Sequence, residues 1–439
     1  MKGRETSQRN GSGGRSPSLR AALAVAGGFF VLMSAGPVRA QEDIWVPEIP
    51  LTRDVTTSAR ALGMGGAYLA VSDDAHALRH NPAGLARIQR VEFLGSLTDM
   101  NRKIETDFFG TPGENSISRT RLSALAFAYP FPTYRGSMVI AAGYTAPWIL
   151  DRDYSRSTAP GSEPSIEEQI FEEGQIGEWS FGYAVDVAPS LALGFKAGYI
   201  HGNRQQDWIY RDPAFDFDIH DVTDVDIDGF TGSLGALSRI GSRGRLGLVV
   251  NLPKWITIDG TIVDVPGEYE YVVDEEMTLP YSVAAGVSGI FENLLLAADA
   301  RYTDWTQIDY EGPLRYWEGN RRKFAYQRTW DVHVGGEYLL DELGLAGVRL
   351  RAGLAWDPVP YRLLLEDIIV EDDVAVPIYE RADFDPDRLT YSAGLGVLLA
   401  ESLTIDAAYM AGRYERTGVN LGEEENERRV VVTAAYRLD

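Results

Sequence analysis

The sequence has no cysteine in 439 residues, which removes disulfides, thiol nucleophiles and thiolate metal sites from consideration. Histidine is scarce, with five, and cations are few, with 41 Lys and Arg against 64 Asp and Glu for a formal charge of −23. A surface of that sign repels nucleic acid. After residue 40 there is no apolar run of the roughly 20 residues that a transmembrane helix needs, so a membrane can be crossed only by strands.

The first forty residues read as an export signal. Lys2, Arg4, Arg9, Arg15 and Arg20 precede an apolar stretch over residues 21–35 that is too short to span, and Val38-Arg39-Ala40 gives a small-residue cleavage pattern. The spacing predicts removal of residues 1–40 and a mature start near Gln41. That segment carries six basic residues and one acidic one. The mature chain is then still more acidic.

What the sequence has in quantity is alternation. Side chains of a strand point to opposite faces with a period of two. Leu246, Leu248, Val250 and Leu252 alternate with Arg245, Gly247 and Asn251, and Val348, Leu350, Ala352, Leu354 and Trp356 alternate with Arg349 and Arg351. Several apolar faces end in aromatics, as an interfacial girdle does, and the 45 glycines and 22 tyrosines suit a barrel. Short connections near residues 188–190, 241–244, 291–293 and 400–402 alternate with longer acidic stretches near 150–175, 211–225, 259–279, 361–386 and 415–427, which read as loops. Counted over the chain, this predicts an all-β, antiparallel outer-membrane barrel of about fourteen strands over residues 90–439.

Residues 41–89 do not alternate and are expected to form a plug or hatch inside the barrel. Gly63-Met64-Gly65-Gly66 reads as a bend, Ser72-Asp73-Asp74 as the cap of a short helix running to about His80, and Asn81-Pro82 as its end. His76 and His80 stand one helical turn apart beside Asp73, a spacing compatible with a metal, but contact between plug and wall explains them more simply. No Ser/His/Asn or paired Asp and His arrangement stands out, so no enzymatic activity, cofactor or metal is expected. Charges on the lumen side of the strands, among them Asp186, Lys196, Arg245, Asp299, Arg301, Asp331, Glu337, Arg349, Arg351 and Asp406, could line an aqueous selectivity path, but pairing with one another or with the plug is favoured, because unpaired charges there are costly.

Residues 58–67, Ser-Ala-Arg-Ala-Leu-Gly-Met-Gly-Gly-Ala, followed by Asp73-Asp74 and Asn81-Pro82-Ala83-Gly84-Leu85, resemble the N-terminal signature of the FadL family of outer-membrane transporters of long-chain fatty acids and other hydrophobic compounds. Tyr302-Thr303-Asp304-Trp305 and Arg351-Ala352-Gly353-Leu354-Ala355-Trp356-Asp357-Pro358 are similar to later parts of it. The resemblance implies a fourteen-stranded barrel with an N-terminal hatch, and passive uptake of a small hydrophobic molecule. On its motif the hatch residues are Gly63, Gly65, Gly66, Asp73, Asp74, Asn81, Pro82 and Gly84. It also implies lateral exit through the third strand, where Gly143 weakens the ladder and Pro147 cannot donate to it. Trp148, Trp208, Trp255 and Trp305, near the loop ends of their strands, and Phe108 are the candidate ligand contacts, the alternative for the tryptophans being girdle residues at the headgroup level. The alternative function is a structural or secretion-partner barrel of the PorV type. Expected partners are membrane lipid, the hydrophobic ligand and the barrel-assembly machinery, with the chain itself a monomer.

Overall fold

The computed structural model describes residues 54–438 apart from 160, 162–164, 213–216, 266, 268, 312–321, 341–346, 372–373, 382–386, 400 and 419–420. Fourteen strands form one closed antiparallel barrel. They are β1 (Val91–Phe108), β2 (Thr111–Phe131), β3 (Met138–Ile149, continued by Arg152–Ser157), β4 (Glu167–Ala188), β5 (Leu191–Asp212), β6 (Phe217–Ile240) and β7 (Gly244–Asn251 and Lys254–Asp264). Then follow β8 (Glu270–Leu279 and Ser282–Phe291), β9 (Leu294–Asp304 and Asp309–Glu311), β10 (Arg328–Leu339), β11 (Val348–Trp356), β12 (Leu389–Leu399), β13 (Leu403–Gly418) and β14 (Leu421–Leu438). Closure comes from β1, which pairs with β2 on one side and with β14 on the other over the full span Val91↔Leu438 to Phe108↔Leu421. In lipid an open edge would leave backbone groups unpaired, and closure removes it. Arg322–Tyr326, Tyr361–Glu371 and Val374–Arg381 pair in a separate three-stranded sheet. No helix among the described residues is long and apolar enough to cross a membrane.

The alternation decides which face meets lipid. On β1, Phe93 and Leu97 are 47% and 53% exposed, while Leu94, Ser96, Thr98 and Met100, of the opposite parity, are buried. On β11, Leu350 and Leu354 point out and Arg351 and Ala355 point in. The exposed apolar band continues around the wall through Leu125, Trp179, Phe181, Phe230, Leu296, Val334, Tyr391, Tyr409 and Tyr436.

The acidic stretches are not loops. Residues 259–279 and 415–427 are largely strand, with Glu270–Leu279 laddered to Lys254–Val263 and β13 laddered to β14 as far as Gly418↔Leu421. Beyond the bilayer both faces of a hairpin are wet, so carboxylates lose nothing on a strand while the ladder satisfies the backbone. Acidic composition marks solvent, not irregularity. The β1–β2 hairpin closes on Phe109 and Gly110, with φ 51° and 76°, the left-handed pair that a two-residue turn requires.

Residues 54–90 lie within the ring of strands. Helix α1 (Ala59–Gly63) is capped by the Ser58 hydroxyl, which accepts from Ala61 N. Helix α2 (Ala77–His80) is shorter than the capping pattern suggests. Its N-cap is His76, and the Asp74 carboxylate accepts from the His76 amide one step earlier. Asn81-Pro82 ends α2 and also starts a 3-10 helix, Pro82–Arg87, with the Asn81 side-chain oxygen Oδ1 accepting from Ala83 N. The segment touches the wall where strands carry glycine. A Cβ at Gly194 or Gly235 would strike Pro82-Ala83, one at Gly247 or Gly286 would strike Leu69, and one at Gly335 or Gly353 would strike Met64. These contacts come from β5, β6, β7, β8, β10 and β11. A single segment can meet so many strands only from inside the ring.

Candidate functional site

The N-terminal segment is pinned by charges on the wall. Arg60 of α1 donates Nε to Glu337 Oε2 at 2.9 Å and Nη2 to Oε1 at 3.1 Å, and reaches Asp73 at 2.6 Å. Glu337 also accepts from Arg351 at 2.7 Å, and Arg351 binds Asp406 at 2.6 Å. Asp299 accepts the amides of Tyr68 and Leu69 at 2.5 and 2.8 Å, Glu92 accepts that of Ala75 at 2.7 Å, and Arg87 pairs with Asp186. Several lumen-facing charges named from the sequence thus bind this segment.

The motif residues have separate tasks. Gly63 lies against Gly394 and Arg351, and Gly65 (φ 65°) and Gly66 (φ 85°) let the backbone pass close to Leu354 and His333. Asp73 pairs with Arg60, and Asp74 accepts from the Tyr68 hydroxyl at 2.7 Å. Asn81 donates to Leu69 O and Ala236 O, Pro82 packs on Gly235, and Gly84 fits against the Ser72 backbone. His76 Nε2 meets Ser96 Oγ at 3.3 Å while His80 stacks edge-on with Tyr68. The three groups of the metal-compatible spacing are therefore engaged in different directions.

Above this segment lies a cavity of about 290 Å³ whose lining includes Asp54, Arg79, Glu178, Lys196, Lys254 and Arg301. Asp54 binds Arg79 at 2.5 Å, and Arg301 stands 3.8 Å away. Withdrawal from water opposes ionisation of Asp54, but Arg79, Lys254 and Arg301 outweigh it and hold its carboxyl well below the usual carboxylate range. Burial, followed by the nearby His76, Arg79 and Arg301, pushes His80 down. Lys196 is matched to Glu178 at 2.5 Å. Lys254 forms no salt bridge among the described residues, and its ammonium stands 5.7 Å from the centre of the Trp148 ring, with the Arg79 guanidinium at 5.8 Å from the same ring. Trp148 is fully buried, yet its indole N–H has no acceptor among the described residues.

An apolar layer adjoins these cations. Trp148, Leu150, Ile176, Ile200, Ile227, Ile256, Met277, Leu279 and Ile308 pack together on the lumen side, with Trp305 against them. Of the candidate ligand contacts, Trp148 and Trp305 belong to this layer, and Trp305 donates to Thr329 Oγ1 at 3.0 Å. Trp208 lies elsewhere, donating to Glu168 at 3.2 Å. Phe108 is buried beneath the Arg156 guanidinium, 4.6 Å away. Trp255 turns away from the lumen and is half exposed, because its neighbours Lys254 and Ile256 take the inner face. Lys254 is a site residue that the sequence reading missed. The one signal for it was its parity with Ile256.

The third strand breaks at Pro147, not at Gly143. Gly143 sits in regular ladder between Ala126 and Ser180. Pairing of β3 with β2 stops at Ala124↔Thr145, and the β3–β4 register shifts between Thr145 and Trp148. From Thr145 to Leu150 every side chain is buried, so the strand leaves the wall and turns inward. The Pro147 carbonyl accepts from Val55 N of the N-terminal segment at 2.7 Å.

A closed antiparallel barrel of fourteen strands has structural counterparts. The fold is that of the FadL-type outer-membrane barrels. A FadL homologue of Pseudomonas aeruginosa superposes with a TM-score of 0.60, 17% identity, and coverage of 91% of this chain and 100% of that one. The Pseudomonas putida toluene transporter TodX gives 0.59 at 15% identity over 86% and 97%, and the Ralstonia pickettii toluene transporter TbuX gives 0.57 at 15% over the same shares. Residues 52–252 match the family model described as BamG. A sequence search of the curated proteins finds no match. In this FadL-type barrel the N-terminal residues 54–90 lie within the ring of strands.

Proposed function

We propose that the chain is an outer-membrane channel for passive uptake of small hydrophobic compounds, long-chain fatty acids among them, with residues 41–89 as its hatch and exit through the wall at Pro147. The observation that carries this reading is the pairing, on one level of the lumen, of the apolar layer around Trp148 with Lys254 and an unsatisfied indole N–H, beside the break in β3. An aqueous pore has no use for such a layer. A carboxylate-headed amphiphile suits the cavity, its tail towards Leu150 at the edge of this layer and its head towards Lys254 and Arg79.

Residues 1–40 act as a cleaved export signal, the assembly machinery inserts the barrel, and the protein works as a monomer without a cofactor. The fold of named transporters rather than of enzymes supports a conduit. The test is uptake of dodecanoate and of toluene by a deletion strain with and without this chain, alongside a Lys254→Ala and Trp148→Ala variant. Uptake restored by the chain and reduced by the double variant supports the reading, and no uptake with a correctly inserted chain overturns it. A second reading, a barrel held shut as a structural or PorV-like partner, draws on the dense ties of the hatch to Glu337, Asp299 and Glu92. It expects no uptake of either compound.

A further inference from the structure

Above Ser123 the wall between β2 and β4 is not joined by backbone. From Thr111 to Leu122, β2 has a ladder partner on its β1 side alone, and Ser123 falls in the β1–β2 bulge, since pairing with β3 begins at Ala124. The continuation of β3, Arg152–Ser157, ladders with Glu167–Glu172 of β4 and tucks under the inner face of β1 and β2. Thr106 Oγ1 donates to Ser155 O at 3.0 Å, and Asn115 donates to Asp153 at 2.9 Å. Thr106 is among the buried, lumen-side residues of β1.

What spans the seam is side chain. Arg121 of β2 grips Asp151 with two bonds, Nε to Oδ2 at 2.8 Å and Nη2 to Oδ1 at 2.5 Å, and Asp151 is fully buried. Asp151 also accepts from Gly174 N of β4 at 3.3 Å, so this one carboxylate ties β2 to β4. Gln175 of β4 donates to the Leu122 carbonyl of β2 at 3.1 Å, and Arg119 pairs with Glu173. Just below, the Tyr144 ring lies where Gly177 has no side chain.

Space lies on both sides of this level. Outside, Leu125, Gly143, Tyr144, Trp179 and Phe181 line an apolar groove of about 970 Å³. Inside, Ile149, Leu150 and Glu178 line the lumen cavity. We propose that the seam is a gate, closed in this structure, and that the Arg121–Asp151 pair is its latch. Opening releases Arg121, lets Tyr144 lift from Gly177, and joins the two spaces with no ladder bond broken. This rests on the channel reading for its purpose, but the motion is testable by itself.

Because the sequence has no cysteine, Ala146→Cys creates a sole thiol at a fully buried position of the break. The full-length protein in lipid vesicles is exposed to dodecyl maleimide dissolved in the bilayer, and folding is checked by heat-modifiable migration. Arg121→Gln in this background is expected to speed labelling about tenfold, the equivalent of one charge-assisted hydrogen bond, and Gln175→Ala about threefold, that of a neutral one. Arg121→Lys, which keeps the charge without the fork, should fall between. If Arg121→Gln fails to fold, Gln175→Ala carries the test, since it removes only a bridging side chain. Parental labelling rates in folded variants would overturn the gate. Dodecanoate entry into the same vesicles separates the two proposals: faster labelling without entry leaves the gate and refutes the channel, while entry with unchanged labelling refutes the gate and places the passage elsewhere.

Discussion

Replacing Arg60 with Met removes the principal charged tie between α1 and the wall while preserving side-chain length. The lost contacts are the bidentate pair to Glu337, the bond to Asp73 and the stacking of the guanidinium 5.6 Å from the Tyr68 ring. Breaking one partner of a buried pair costs about 3–5 kcal/mol. Glu337 keeps Arg351 at 2.7 Å, and the Arg60 side chain retains 17% exposure, so the lower end, about 3 kcal/mol, applies. At about 1.4 kcal/mol per decade, the population with α1 unseated rises about a hundredfold. Tryptic cleavage after Arg79 and Arg87, both held inside the barrel, follows that population when opening is fast relative to cleavage. The initial cleavage rate of the folded protein in detergent should therefore rise by about two orders of magnitude, with a parallel rise in ion conductance across planar bilayers. Arg349→Met, which removes a cation 4.0 Å from the same carboxylate, is the control and should change little. A folded Arg60→Met variant cleaved at the parental rate would refute the claim that charge pairing seats the hatch.

Three further expectations follow from the same geometry. Gly353→Val places a side chain in the Met64 backbone, so the barrel should still insert while the hatch is displaced, read as raised conductance with unchanged heat-modifiability. Brominated lipid should quench Trp255, which faces out, and leave Trp148, which is buried in the lumen; equal quenching in single-tryptophan variants would contradict the placement. His80 has its pKa pushed down in the seated hatch, so above the unseated value near 6.5 both states are neutral and pH has no effect through it. Below that value the unseated segment gains a proton that the seated one refuses, weakening seating by up to about 1.4 kcal/mol per pH unit, and His80→Gln should flatten the rise in conductance between pH 7.5 and 5.

The barrel was legible because its information is repeated in every strand. Leu350 and Leu354 against Arg351, or Trp179 and Phe181 against Ser180, declare a period of two locally, and the count of such segments gives the ring. Helix α1 was not legible, since five residues are too few for a helical period and Ser58 was the only cap to mark it. The wall side of the hatch contact was also missed. It consists of single mid-strand glycines, Gly194, Gly235, Gly247, Gly286, Gly335 and Gly353, whose meaning appears only once the strands are aligned. The outward turn of Trp255 is not legible because Lys254-Trp255-Ile256-Thr257-Ile258 is apolar at positions of both parities, and the inward face of such a strand is set by its neighbours.

The location of the break follows from the chemistry of one proline. Pro147 has no N–H to give to either neighbour, so a strand crossing lipid at that point would leave its partners short of donors. The register shift between Thr145 and Trp148 takes the residue out of the ladder, and the inward turn brings its carbonyl to Val55 N. That bond holds β3 to the hatch side of the wall. Leaving the carbonyl unsatisfied would cost about 1–3 kcal/mol, comparable to the latch bonds across the seam. The two therefore favour different movements. Loss of Arg121 frees β2 and β4 from each other while β3 stays anchored at Val55, whereas unseating the hatch at Arg60 leaves the Arg121–Asp151 grip intact. A double substitution at Arg60 and Arg121 should then be near additive, because the two ties share no partner. Strong non-additivity would mean that hatch and seam move as one body.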